Sequence, residues 1–147
     1  MSGLYRLIGC CVDDSEAAAG ALAESARLAE VAGARLAAVH VVLSDDDFTG
    51  GRTTFMASPD ELASGLREDG RRWLDERLGA VAGAGAAEPV VLQGNPVEEV
   101  VAWAEASGCD LLVAAAHRRG LARAILGSFT RTVARDAPCS VLVYRLR

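Results

Sequence analysis

AAAHRRGLARAILGSFTRTVARDAPCSVL, residues 114–142, is the stretch whose reading decides the fold. It leaves an apolar strand at Ala114, crosses a basic turn and reaches Gly127-Ser128 at a helix start. It then runs through Ala137-Pro138-Cys139 into a final strand. The first N–H groups of a helix have no internal partners, so a Gly-Ser step there is a ready cradle for phosphate. The turn ahead of it works the other way. Ala114 and His117 stand where a phosphate loop usually carries glycines.

The chain before this stretch repeats the same alternation. Residues 5–12 (YRLIGCCV) are an apolar run fit for a buried strand, stopped by Asp13-Asp14-Ser15-Glu16. Residues 15–31 carry Leu22, Ala26 and Ala29 at helical spacing, and Gly33 ends that helix. Residues 35–43 are a second strand. Residues 44–58 have no period and contain a Gly pair, so they read as a long loop of the kind used for lids or partner contacts. Ser58 as cap, Pro59 in the first turn and Glu61 three residues on predict a helix over 59–78, with Leu62, Leu66, Trp73 and Leu78 facing inward. An Ala/Gly-rich linker at 79–87 leads to a strand at 88–93. Gly94-Asn95-Pro96 turns into a helix over 96–107, with Val97, Val100, Val101 and Ala104 facing in. Residues 109–115 form a fourth strand, 128–136 a fourth helix and 139–144 a fifth strand.

Short strands that are apolar on both faces and alternate with helices call for a parallel sheet covered on both sides. Right-handed crossovers make this an α/β, doubly wound sheet of five parallel strands, Rossmann-like in plan. With the order 3-2-1-4-5, the ligand crevice falls between strands one and four, at their carboxyl ends. Its lining is then Asp13 after strand one and residues 114–119 after strand four. Architecture alone brings those two distant segments together. No internal repeat is present, and 147 residues suit one domain.

Composition narrows the function classes. A net charge of −5 argues against a general nucleic-acid binder, which needs a basic face. All fifteen basic residues are Arg, so lysine chemistry, including a P-loop lysine or a Schiff base, is excluded. No apolar run approaches the length of a membrane span, and the opening residues pass directly into a strand pattern, which points to a cytosolic protein with no membrane partner. Cys10, Cys11, Cys109 and Cys139 form no C-x-x-C pair and lie in or beside apolar strands, as buried thiols do. Cys10 and Cys11, being adjacent in a strand, point to opposite faces. His40, inside an apolar strand, reads as a hydrogen-bonded core or edge histidine. No cluster has metal-ligand spacing, and neither a Walker A motif nor G-x-G-x-x-G occurs.

Four segments together resemble the universal stress protein family over essentially the whole chain. They are Val12-Asp13-Asp14-Ser15-Glu16 closing the first strand, Val39-His40-Val41-Val42 in the second, and Gly94-Asn95-Pro96-Val97-Glu98 before the third helix. The fourth is Gly127-Ser128 followed by Ala137-Pro138-Cys139-Ser140-Val141-Leu142-Val143. The resemblance implies an adenine nucleotide alpha hydrolase-like fold and a stress-response regulator or sensor that works by binding and dimer conformation rather than turnover. Its implied ligand is ATP, with Mg, or another adenine nucleotide. Val12 and Asp13 would meet the ribose side of it, the Val41 backbone the adenine, and Gly127, Ser128 and Phe129 the phosphates. Members that bind ATP carry G-x-x-G, nine residues, then G-S or G-T. Here the later pair is intact, while the two earlier glycines fall on Ala114 and His117. Arg118, with Arg119 and Arg123, adds guanidinium groups suited to phosphate oxygens.

Each residue also has a plainer role. Asp13 can cap the following helix, Gly127-Ser128 can be a tight turn, and the arginines can be a solvated loop. An imidazole at His117 would either fill the phosphate space or swing out and donate a bond to a ligand. The alternative to a nucleotide switch is therefore a scaffold of the same fold with no cofactor, as members lacking the glycine motif imply. A third reading is a weak ATPase or adenylate-handling hydrolase, for which no base or metal site is evident. The apolar edge at strand five must be covered, and the resemblance implies a homodimer through it, with a regulatory protein as a further partner.

Overall fold

The computed structural model describes residues 3–43, 59–116 and 127–146. Nine elements alternate along it: β1 (Leu7–Cys11), α1 (Glu16–Ala32), β2 (Arg35–Val42), α2 (Pro59–Ala80), β3 (Glu88–Gln93), α3 (Pro96–Ser107), β4 (Leu111–Ala116), α4 (Ser128–Asp136) and β5 (Ser140–Arg145). The five strands form one sheet in the order β3-β2-β1-β4-β5. Every neighbouring pair is parallel, with Cys10 level with Ala38 on one side and Val113 on the other. The expected order and fold class are those observed.

The helices cover both faces. On one, α1 and α2 pack Ala21, Leu22, Leu74 and Leu78 against Ile8, Cys10, Ala38 and Val113. On the other, α3 and α4 pack Val100, Ala104 and Val133 against Leu7, Ala37, Val39 and Leu112. Strand parity sorts the two layers, since successive side chains leave the sheet on opposite sides. Cys10 accordingly lies in the first layer and Cys11 against the second. Side chains as enclosed as Leu22 and Leu74 are each worth about 1.5–3 kcal/mol in burial, which makes these layers the main support of the strand ends.

Helix ends follow from local chemistry. The Ser15 hydroxyl accepts from the Ala18 N–H at the start of α1, and the Asn95 side chain accepts from the Glu98 N–H at the start of α3. Gly33 and Gly108 close those helices in the left-handed conformation that glycine adopts without strain. Strand bounds move by one or two residues from those expected. The inner face of α2 differs more. Gly70, Leu74 and Leu78 follow one another at i, i+4 and are buried, whereas Leu62 is 38% exposed. The seam of α2 is set by its contact with the sheet, where a side chain at Gly70 would meet Val42 and Val91, and not by its most apolar residues. The linker before β3 is also less loose than its composition suggests, because Ala84 and Ala87 are buried in the first layer. Ser58, the expected cap of α2, and the expected loop over 44–58 lie outside the described residues.

Candidate functional site

The chain leaves β1 toward α1 and β2, and returns from β3 through α3 to β4 on the other side of β1. That reversal keeps the carboxyl ends of β1 and β4 clear of crossing connections. A cavity of about 280 Å³ opens there. Its walls are Cys11, Val12 and Asp13 from the end of β1, Val39, His40 and Val41 from β2, and Pro96 and Val100 from α3. Ala115 of β4 and Gly127, Phe129 and Thr130 at the start of α4 complete them. A mainly apolar wall with a few converging polar groups is the usual form of a small-molecule pocket.

Asp13 sits where β1 gives way to α1. Its Oδ1 accepts from the Ser15 N–H at 2.9 Å, forming a turn that delivers Ser15 to its capping position. Asp13 is therefore both a turn former and a carboxylate in the cavity wall. Across the cavity, Gly127 precedes α4 with φ −60° and, as the N-cap residue, brings no side chain to cap it. Gly127, Phe129 and Thr130 line the cavity, so the positive end of the helix dipole lies at its wall. A β-carbon at Gly127 would meet no described atom within 4 Å. Among the described residues, neither backbone nor packing thus requires glycine there, and its lack of a side chain leaves the helix start uncovered by them. Thr130, 3% exposed, fixes that start in space, since its hydroxyl donates to the Ala115 carbonyl oxygen at 3.3 Å.

Val41 presents backbone rather than side chain. The Val12 N–H donates to the Val39 carbonyl at 2.8 Å, so residue 39 faces β1; the Gly94 N–H donates to the Val42 carbonyl at 3.1 Å, so residue 42 faces β3. By alternation Val41 faces β1 at a level where β1 has ended. His40 points to the opposite layer. Its Nδ1 is 2.9 Å from the Val12 carbonyl oxygen, and its ring lies 4.3 Å from Trp73 of α2. A carbonyl oxygen only accepts, so Nδ1 carries the hydrogen.

The structure brings Val12, Asp13, Val41, Gly127 and Phe129 to one cavity. Ser128 opens α4 beside it, exposed and outside the wall. Ala114 is 1% exposed within β4, and its neighbour Ala115 is the wall residue. Ala114 is not among the residues of the cavity wall. His117 and Arg118, with Arg119 and Arg123, lie outside the described residues. Sequence reasoning missed Cys11, His40, Pro96, Val100 and Thr130. Of these, Thr130 had a signal two residues beyond the Gly-Ser step, and His40 and Pro96 had one in the segments that carry the resemblance.

The cysteines are free thiols. Burial pushes Cys10 up to about 12 and raises Cys11 too, with the Asp13 charge adding to both. Cys109 is raised to about 11 by burial. Among the described residues, no group of three His, Cys, Asp or Glu is placed to hold a metal ion, and no helix is long and apolar enough to cross a membrane.

Sheet order, two-sided helix cover and a crevice at the winding reversal define a doubly wound protein of the adenine nucleotide alpha hydrolase-like class. The universal stress protein family model matches residues 4–145, and the chain belongs to that family. It is similar to the solved universal stress protein UspA from Lactobacillus plantarum, at 27% identity over 96% of this chain and 98% of that one, with a TM-score of 0.73. It is also similar to a universal stress protein family member from Burkholderia pseudomallei, at 29% identity over 95% of each chain and a TM-score of 0.67. A universal stress protein solved in complex with cAMP shares the fold, at 22% identity over 95% of this chain and 96% of that chain, with a TM-score of 0.65.

Proposed function

We propose that this protein is a regulatory binder of adenine nucleotides in the stress response, acting through occupancy of the β1/β4 crevice rather than through turnover. The observation that carries this reading is the convergence on one cavity of a carboxylate at Asp13, a strand-end backbone at Val41 and an open helix start at Gly127. These suit, in order, ribose hydroxyls, the edge of a base and phosphate oxygens. A carboxylate accepts from hydroxyls, backbone groups read a heterocycle edge, and helix-start amides hold anions without a lysine. The relative solved with cAMP supports the ligand class. With ATP, the Mg would be held chiefly by the nucleotide's own phosphates, and the additional arginine contacts would come from the segment containing Arg118.

The protein is further proposed to act in the cytoplasm as a homodimer through the β5 edge, with a regulatory protein as its downstream partner. Strand β5 ends the sheet with half-buried Val141, Leu142, Val143 and Tyr144, and a sheet edge of that kind is stable when paired or covered. The scaffold reading without nucleotide retains one specific support, the Ala114 and His117 replacements at the glycine positions.

Amide NMR mapping with AMP, cAMP and Mg-ATP tests the proposal. Saturable shifts at Val41, Gly127 and Phe129 are the expected result. An unchanged spectrum with all three nucleotides at millimolar concentration would contradict it and leave the scaffold reading.

A further inference from the structure

In a regular continuation of the β1/β2 ladder, the rung after Val12 N–H to Val39 O would be Val41 N–H to Val12 O. That rung is not among the backbone hydrogen bonds of the described residues. The Val12 carbonyl oxygen is engaged instead by His40 Nδ1 at 2.9 Å. The ring is held in place by its stack on Trp73, centroids 4.3 Å apart and planes 30° from parallel, and the Arg77 guanidinium lies 5.0 Å from the same indole. The ring thus holds the Val12 carbonyl in a direction set by His40, at the place where the next backbone rung would form.

We propose that His40 is a positioning residue of the binding site: by drawing the Val12 carbonyl toward its ring it leaves the Val41 N–H outside the ladder, as a donor to the cavity. The group that suits such a donor is an in-plane acceptor on a flat heterocycle, such as a ring nitrogen of a base. This rests on the nucleotide reading for its ligand, but the device itself exists without one. Remove the ring N–H and the Val12 carbonyl is released to turn back along the ladder. Val41 N–H is the nearest donor in register, and closing that rung would withdraw it from the cavity.

Two variants separate the ring N–H from the ring. His40→Phe keeps a flat side chain against Trp73 and loses the donor. His40→Asn loses the stack but places an amide N–H near the former Nδ1. Amide exchange on unliganded, folded protein is the first readout. Val41 should exchange at least tenfold faster than Val39 in the wild type, become protected by about tenfold in His40→Phe, and return toward the wild-type rate in His40→Asn. Equal Val41 exchange in the wild type and His40→Phe would overturn the proposal, as would a wild-type Val41 protected like Val39. Calorimetry with AMP is the second readout. His40→Phe should bind about three- to tenfold more weakly, with His40→Asn near the wild type and ribose 5-phosphate affinity unchanged in all three. Equal loss of AMP and ribose 5-phosphate affinity would mark a general structural role and contradict the proposal. If the wild type ignores AMP, the nucleotide reading fails, and amide exchange still decides the His40 device.

Discussion

The hydroxyl of Thr130 reaches from the first turn of α4 to the carbonyl oxygen of Ala115, 3.3 Å away, and so ties a helix start to a strand end across the site. The two residues are separated in sequence by a segment that carries Arg118, Arg119 and Arg123, yet this bond fixes their relative position directly. It also occupies a buried polar group that would otherwise be costly to enclose.

Replacing Thr130 with Val keeps the shape and removes the bond. The expected result is a loss of about 1 kcal/mol in urea unfolding, together with several-fold weaker AMP binding, while Thr130→Ser retains both. Binding that stays at the wild-type level in Thr130→Val would show that the α4 start is positioned by other contacts.

Gly127 offers a cleaner separation of stability from binding. Its backbone is in a region open to any residue, and a β-carbon meets no described atom. Gly127→Ala should therefore melt within about 2 °C of the wild type, since substitutions at unstrained, uncrowded sites cost little. A methyl at the mouth of the cavity should nevertheless weaken AMP binding about tenfold, because it stands where a phosphate must approach the amides. A variant that binds as the wild type does would place the phosphates elsewhere.

The thiols make a prediction about reactivity. With Cys10 raised to about 12 and Cys109 to about 11, very little thiolate is present at pH 8. Iodoacetamide at pH 8 should label these two at least a hundredfold more slowly in native than in urea-unfolded protein. Rapid native labelling of Cys10, read by peptide mapping, would contradict the buried placement.

Asp110 carries a pH dependence. Partial burial pushes its carboxyl up, but N–H groups of Arg6 and Leu7, at 2.9 and 3.0 Å, outweigh that and hold it below the usual carboxylate value. A depressed folded-state pKa contributes stability that is present above the unfolded value, near 4, and lost as pH falls through the folded value. Asp110→Ala should melt a few degrees below the wild type at pH 7, by roughly 3–5 °C for a loss of about 1 kcal/mol. That gap should narrow below about pH 4. A gap that is constant from pH 7 to 3 would assign the loss to packing instead.

Much of the fold is legible in the residues because its signals are local. Ser15 and Asn95 cap helices by their own side chains, Gly33 and Gly108 end them, and adjacent Cys10 and Cys11 divide between two layers through strand parity alone. The site is legible only where topology decides it, as with Asp13 and Gly127 meeting across the crevice. The end of β4 is less legible. Three successive alanines give no hint that Ala115 rather than Ala114 forms the cavity wall. His40 was read as a bonded histidine, but its partners, Val12 and Trp73, are set by the packing of α2 against the sheet. The exposure of Leu62 follows from the same packing and has no counterpart in the helical pattern.

The most direct test of the central claim is calorimetric titration of the wild-type protein with AMP, cAMP and Mg-ATP, repeated with Asp13→Ala. The account predicts saturable binding of at least one nucleotide near micromolar Kd. In Asp13→Ala it predicts about tenfold weaker binding, the effect of losing hydrogen bonds to a charged acceptor. No heat from any of the three with folded wild-type protein, or binding indifferent to Asp13, would contradict it.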